Sequence, residues 1–474
     1  MQGTRLVWRL VRTFCLPVPL VACLFGCAFA NDDTHWILPP PAVGDWFDLA
    51  NWDNGVPSRW DYAYIDNGGT VSIATGEPCA RYLYAGYSAD GAVSQTGGTV
   101  YIRDVGYLSL GERGGARGTY TLTEGELHCP SVEYIGLRGN GVFRQTGGTN
   151  AAGSMCLAAG YVSGYPASRG EYELSGGDLT VAGTLQIGEH GTGAFQHTGG
   201  TVQADWLAVG SRTQGTYEMG PGTLLVADRE FIGLHGGGTF TQTGGVNSVG
   251  IELYLSRYAT AGGTYEIMGG TLAAPDVYVG TEGVGRLNIG NHEASISVSN
   301  LLRFGPQGTL VVSAGAAIHM TGAAFENHSN SEVSLEGLES LELIFEGGPT
   351  ELDPFEVAGF DWGSVTEGFD LNFALGKLTL GGADVGKVLL ADNSDNGNRG
   401  GPAGDAEALY VHDLVIGPAS VLDLNGFHVY YDGAFINQGT ILNGGPIFVP
   451  EPATLSLLAA GMAAVWMRKR RAVR

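Results

Sequence analysis

Basic residues are scarce in this 474-residue chain: 24 Lys and Arg face 48 Asp and Glu, a formal net charge of −24 at pH 7. Lysine is nearly absent; Lys377, Lys387 and Lys469 are all there are. Eight basic residues sit at the two ends: Arg5, Arg9 and Arg12 at one, and Arg468, Lys469, Arg470, Arg471 and Arg474 at the other. Residues 31–449 therefore hold 16 basic and 47 acidic residues, 16 − 47 = −31. A surface of that sign repels nucleic acid and anionic polysaccharide, which leaves divalent cations, neutral glycans, or charge that serves only solubility. Cysteine is also sparse. Beyond residue 30 only Cys79, Cys129 and Cys156 remain, and an odd count excludes a complete disulfide framework. Cys79 and Cys129 each stand seven residues before a glycine, Gly86 and Gly136, so they share a phase as small buried apolar residues. Helical periodicity is missing. So are the signatures of common chemistry: ten histidines form no His-Glu-x-x-His or zinc spacing, and no Gly-x-Ser-x-Gly elbow, phosphate loop or dinucleotide fingerprint occurs.

Glycine is abundant, at 78 residues, without the three-residue period of collagen. It marks a repeat. Paired-glycine turns end at Gly98, Gly125, Gly148, Gly177, Gly200, Gly222, Gly245 and Gly270. Five residues before each stands a large apolar residue: Val93, Tyr120, Phe143, Tyr172, Phe195, Tyr217, Phe240 and Tyr265. Two after stands an aliphatic, except at Asn150 and Asn247. Three before, polar and apolar residues alternate: Gln95, Leu122, Gln145, Leu174, His197, Met219, Gln242, Ile267. The duplicated element is thus a pair of units. With period two, the aromatic and the residue two later share a face, so every second unit turns a Gln or His inward. A buried amide needs hydrogen-bond partners, and the backbone of the Thr-Gly-Gly turn is the expected supplier.

Each unit of about 22–29 residues reads as strand, turn, short strand, spacer and third strand, and cannot bury its apolar face alone. The expected fold is an all-β parallel β-helix, right-handed, with Phe143, Tyr172, Phe195, Tyr217, Phe240 and Tyr265 stacked in its core. A kelch-like propeller with blades of roughly 50 residues is the alternative.

Residues 1–30 read as a signal peptide, with three arginines, an apolar run from Phe14 to Phe25, and a small-x-small cleavage site at Ala28 and Ala30. Leu20-Val-Ala-Cys23 resembles a lipobox, the rival reading. Residues 31–68 form a capping segment whose Trp46, Trp52 and Trp60 cover the open core or, alternatively, stack on sugars. Repeats run over 69–319. Residues 320–448 form a β-rich region, either further coils or a small sandwich.

Asp392-Asn-Ser-Asp-Asn-Gly397 opens like a calcium loop, but its last position is Ala403 instead of Glu. A weak Ca²⁺ site there is the one cofactor alternative to none, and no catalytic or metal residue is assigned. The repeat resembles autotransporter-passenger and pectate-lyase-like β-helices. The latter resemblance implies cleavage of acidic polysaccharide by clustered carboxylates holding calcium and a basic proton acceptor. Arg138, Arg212, Arg229, Arg257 and Arg286 show no shared phase with an acidic cluster, so no enzymatic activity is expected.

The C-terminal segment, 449–474, is the most specific. Pro450-Glu451-Pro452 precedes an apolar run from Ala453 to Met467, then Arg468, Lys469, Arg470 and Arg471. Fifteen apolar residues make a helix of about 22 Å, short for a membrane core of roughly 30 Å. This three-part order resembles the PEP-CTERM sorting signal. The resemblance implies that an exosortase recognises Pro450, Glu451 and Pro452 and removes the tail. The protein would pass through the inner membrane by residues 453–467 and reach the cell surface or matrix, often beside exopolysaccharide. The expected role is a structural or adhesive surface protein with an extracellular polysaccharide as partner; the alternative is a secreted polysaccharide-active enzyme.

Overall fold

A computed structural model describes residues 32–103, 105–160, 167–290, 293–348, 350 and 352–450. The leader with Ala28 and Ala30, and everything from Glu451 onward, lie outside the described residues. The helix expected over 453–467 therefore also lies outside the described residues. Within the described residues no helix is long and apolar enough to cross a membrane.

Strands pair with the equivalent strand of the next repeat. Gly118 aligns with Gly141, Gly141 with Gly170, and Phe195 with Tyr217. Every ladder is parallel, from Asp33–His35 on Tyr62–Ile65 to Val429–Tyr431 on Ile447–Phe448. Antiparallel contact is confined, among the described residues, to two isolated bridges, Trp36 with Trp52 and Gly359 with Ala408. The chain is a parallel β-solenoid of about 17 turns. The propeller alternative is overturned, because propeller blades are antiparallel sheets arranged around a channel.

One coil shows the construction. The strand Thr192–His197 ends at the turn containing Gly200, where φ is +80°. The strand Thr201–Val209 follows, and its ladder shifts register between Ala204 and Trp206. The expected spacer is therefore a bulge that turns a continuous strand through a corner. The coil closes at Gly210, with φ of +72°; a Cβ there would lie 2.4 Å from the carbonyl oxygen of Gly237 in the next coil.

The aromatics predicted to stack do so. Phe143, Tyr172, Phe195, Tyr217, Phe240 and Tyr265 are all fully buried. Neighbouring rings in this column are 4.6–4.9 Å apart and within 13° of parallel. That separation is the strand spacing, so each coil contributes one ring to a single column. Tyr120 extends it at 4.9 Å from Phe143.

The solenoid already begins in the capping segment, at Asp33–His35 and Val43–Asp45. Trp36, Trp46 and Trp52 are buried there and meet edge to face at 5.1 Å. Trp60 takes no part in the plug; it lies half-buried under the Arg103 guanidinium, 3.6 Å from the ring centroid. At the far side, Ala316–Met320, Leu341–Phe345, Leu375–Leu380, Leu409–Ile416 and Val429–Tyr431 pair in succession, so 320–448 is further coils.

The cysteine phase differs from the sequence expectation. Cys79 pairs with Tyr101 and Tyr101 with His128, so Cys79 points outward and is partly exposed, while Cys129 points inward. Corners between the second and third strands vary in length. Counting back from the closing glycine therefore loses register across that corner.

Candidate functional site

The inward Gln and His residues form a buried polar ladder. Gln95, Gln145, His197 and Gln242 are fully buried. As expected, turn carbonyls receive their N–H groups: Gln145 Nε2 donates to Gly148 O at 3.1 Å and to Asp178 O at 3.0 Å. Gln95 and Gln242 repeat the pattern. The second partner was missed from sequence. Tyrosine hydroxyls of the following coil donate to the amide oxygens: Tyr120 to Gln95 at 2.6 Å, Tyr172 to Gln145 at 2.5 Å, and Tyr265 to Gln242 at 2.7 Å. Its signal was legible. Phe alternates with Tyr in phase with the polar–apolar alternation, so each Phe–Gln coil is followed by a Tyr–aliphatic coil. His197 obeys the same rule. Burial lowers its pKa, which keeps it neutral. Nε2 faces Gly200 O at 3.2 Å and so carries the proton, leaving Nδ1 to accept from the Tyr217 hydroxyl at 2.9 Å.

Asn150 and Asn247, the two breaks in the aliphatic rule, each meet a buried glutamate. Asn150 Nδ2 donates to Glu133 at 3.0 Å and to the Tyr172 hydroxyl at 3.3 Å. Asn247 Nδ2 donates to Glu230 and to the Tyr265 hydroxyl, each at 3.0 Å. The same 97 residues separate Glu133 from Glu230, Gln145 from Gln242, and Asn150 from Asn247, so one network occurs twice. Both glutamates are completely inaccessible. Burial pushes the Glu133 carboxyl up to about 7 and the Glu230 carboxyl up to about 8, against the opposing effect of the asparagine hydrogen bonds. Asn150 Oδ1 and Asn247 Oδ1 have no donor.

On the surface, arginines pair with glutamates, often of the adjacent coil. Arg144 meets Glu173 at 2.9 Å, Arg212 meets Glu189 at 2.8 Å, Arg229 meets Glu252 at 2.5 Å and Arg257 meets Glu282 at 3.0 Å. Arg138 lies 3.7 Å from Glu112. Among the described residues no group of three or more His, Cys, Asp or Glu is placed to hold a metal ion.

The loop from Asp392 is folded inward. Glu407 Oε1 accepts the backbone N–H groups of Asn396 at 2.8 Å and Asn398 at 3.2 Å, and Glu356 accepts that of Ser394 at 2.6 Å. The Arg399 guanidinium and the Glu407 N–H occupy the Asp392 carboxylate. Here the two glutamates accept backbone donors of the loop. Burial pushes Glu407 up to about 7 and raises Glu356. Neither residue belongs to the loop's own motif, so its spacing does not point to them as staples.

The sorting motif starts where the fold stops. Ile447–Phe448 is the last strand. The Val449 N–H donates to Tyr431 O at 2.8 Å, and its buried side chain packs with Phe369, Tyr410 and Tyr430. Pro450 follows and is exposed. Glu451, Pro452, Arg468, Lys469, Arg470 and Arg471 lie outside the described residues. The tail thus leaves from a backbone position fixed by the last coil.

Residues 448–471 match the family described as the PEP-CTERM protein-sorting motif. That motif implies an exported protein processed by an exosortase and directed to the cell envelope or surface. No curated protein and no solved structure matches the chain.

Proposed function

We infer, from a solenoid that ends in a PEP-CTERM sorting motif, that the chain is a rigid structural or adhesive element of the cell surface. Its own reactions are none in this reading, and its partner outside the cell is a polysaccharide matrix. The observation that carries the inference is the pairing of Arg138, Arg144, Arg212, Arg229 and Arg257 with glutamates of neighbouring coils. A lyase needs a free basic group beside clustered carboxylates, and these arginines serve coil-to-coil cohesion instead. Purified protein is expected to release no unsaturated oligosaccharide from pectate or alginate. Reproducible release, abolished by an Arg or Asp substitution, would overturn the structural role.

Sorting proceeds through three parts. Each proline lacks an N–H and biases its predecessor toward extended geometry, so Pro450-Glu451-Pro452 presents accessible backbone. The apolar run 453–467 fixes its depth in the inner membrane, and Arg468 to Arg471 hold the tail on the cytoplasmic side. Replacing Glu451 by Ala, or deleting the basic cluster, is expected to leave uncleaved protein in the inner membrane. Immunoblots of membrane and external fractions report this. A stable surface form that still carries Arg474 would make the tail a plain anchor.

A further inference from the structure

We propose that the C-terminal end of the solenoid is a self-association surface, through which two copies of this chain join last coil to last coil about a twofold axis. The proposal does not depend on the sorting reading. Its basis is a contrast between the two ends. At the N-terminal end the core is closed by Trp36, Trp46 and Trp52, and the outer edge of the first strand is already paired. Ile37 N donates to Asn51 O at 2.9 Å and Asp53 N to His35 O at 3.1 Å, around the antiparallel Trp36–Trp52 bridge. That end also carries Asp32, Asp33, Asp45, Asp48 and Asp53.

Among the described residues the C-terminal end has neither a plug nor a guard. Phe435–Asn437, Thr440–Leu442 and Ile447–Phe448 each pair on one side only among the described residues. Phe435 aligns with the buried Leu414, and Phe448 follows Tyr431 in line with Val411, so both continue core columns. Yet they are 37% and 51% exposed. Outward-facing Ile436 and Leu442 are exposed beside them. An open edge of this kind is normally protected by charge. Here residues 433–450 contain no charged residue at all, in a chain of net charge −24.

These features select the occupant. The unpaired backbone groups need a strand edge, and the bare core residues need an apolar, uncharged surface. The same end of a second copy offers both, and there two strongly acidic molecules approach without local repulsion. Parallel strands related by a twofold axis meet antiparallel, so the two edges can exchange hydrogen bonds. Pro446 precedes the last strand, which leaves 435–437 and 440–442 as the pairing edges.

Sedimentation equilibrium tests this, on the full chain in detergent and on the chain ending at Pro450, whose solenoid is continuous to that point. Both are expected to dimerise at micromolar concentration. Phe448→Asp and the outward Ile436→Lys should each weaken the dimer by about tenfold or more, with circular dichroism unchanged for Ile436→Lys. Leu49→Lys, at the other end, should leave it intact. A monomer at every concentration would overturn the proposal. So would a dimer broken by Leu49→Lys but not by Ile436→Lys, which means head-to-tail growth. A monomer ending at Pro450 that binds phosphatidylethanolamine–phosphatidylglycerol vesicles through Phe448 would assign the surface to lipid instead.

Discussion

Phe195→Ala is expected to destabilise the protein by about 3–5 kcal/mol, the cost typical of removing a buried phenyl ring. The ring sits between Tyr172 at 4.9 Å and Tyr217 at 4.8 Å, parallel to both within 4°. Truncation removes contacts on both faces and breaks the column at its middle. The surrounding rings cannot collapse into the gap, because parallel backbone ladders hold the neighbouring coils at fixed spacing. In a solenoid each coil leans mainly on its neighbours, so the loss should first open the coils around Tyr172 and Tyr217. Urea unfolding gives the size of the effect, and hydrogen exchange gives its position. A loss under about 1 kcal/mol, or protection lost evenly along the chain, would contradict a continuous stacked core.

The second large effect is on pH. Glu133 and Glu230 have folded-state carboxyls raised from 4.5 to about 7 and about 8. The groups facing them are uncharged: Asn150, Tyr120, Tyr172 and Cys129 around Glu133, and Asn247, Tyr217 and Tyr265 around Glu230. Among the described residues no cation compensates for ionisation. Between about 4.5 and these raised values the folded state binds more protons than the unfolded state, so stability must fall as pH rises. The contribution is fully present below about 4.5 and is lost by about 7 for Glu133 and about 8 for Glu230. At about 1.4 kcal/mol per unit, the loss is roughly 3 to 4 kcal/mol at Glu133 and roughly 5 kcal/mol at Glu230. The double variant Glu133→Gln, Glu230→Gln keeps a neutral, hydrogen-bonding side chain at both places. It is expected to flatten the decline and to be more stable than the parent chain at pH 8. Equal pH dependence in parent and variant would mean that the carboxyls are ionised when folded.

How far the sequence carried these conclusions depended on whether a feature repeats. The aromatic column and the inward Gln and His residues recur once per coil or once per two coils, and periodicity alone placed them. Asn150 and Asn247 were visible only as exceptions to the aliphatic rule. Their meaning required Glu133 and Glu230, which sit on a different side of the coil, across a corner of variable length. The same corner misled the reading of Cys79. Trp36 was missed as a plug residue because nothing local distinguishes it from Trp60; an antiparallel bridge to Trp52 decides which ring turns inward. The loop at Asp392 has the composition of a cation loop, and its hydrogen-bond partners Glu356 and Glu407 enter from outside the motif, where spacing carries no information.

The tyrosine-to-amide bonds between successive coils have a consequence for how such a chain can change length over generations. Removing a single coil would place two Phe–polar coils, or two Tyr–aliphatic coils, in direct succession. In the first arrangement a buried amide oxygen loses its hydroxyl, and in the second a buried hydroxyl loses its acceptor. Either orphan costs about 1–3 kcal/mol. Removing or inserting two coils together leaves every hydroxyl opposite an amide or imidazole. Duplication and loss in this region are therefore constrained to even steps, and relatives that differ in length here should differ by whole pairs.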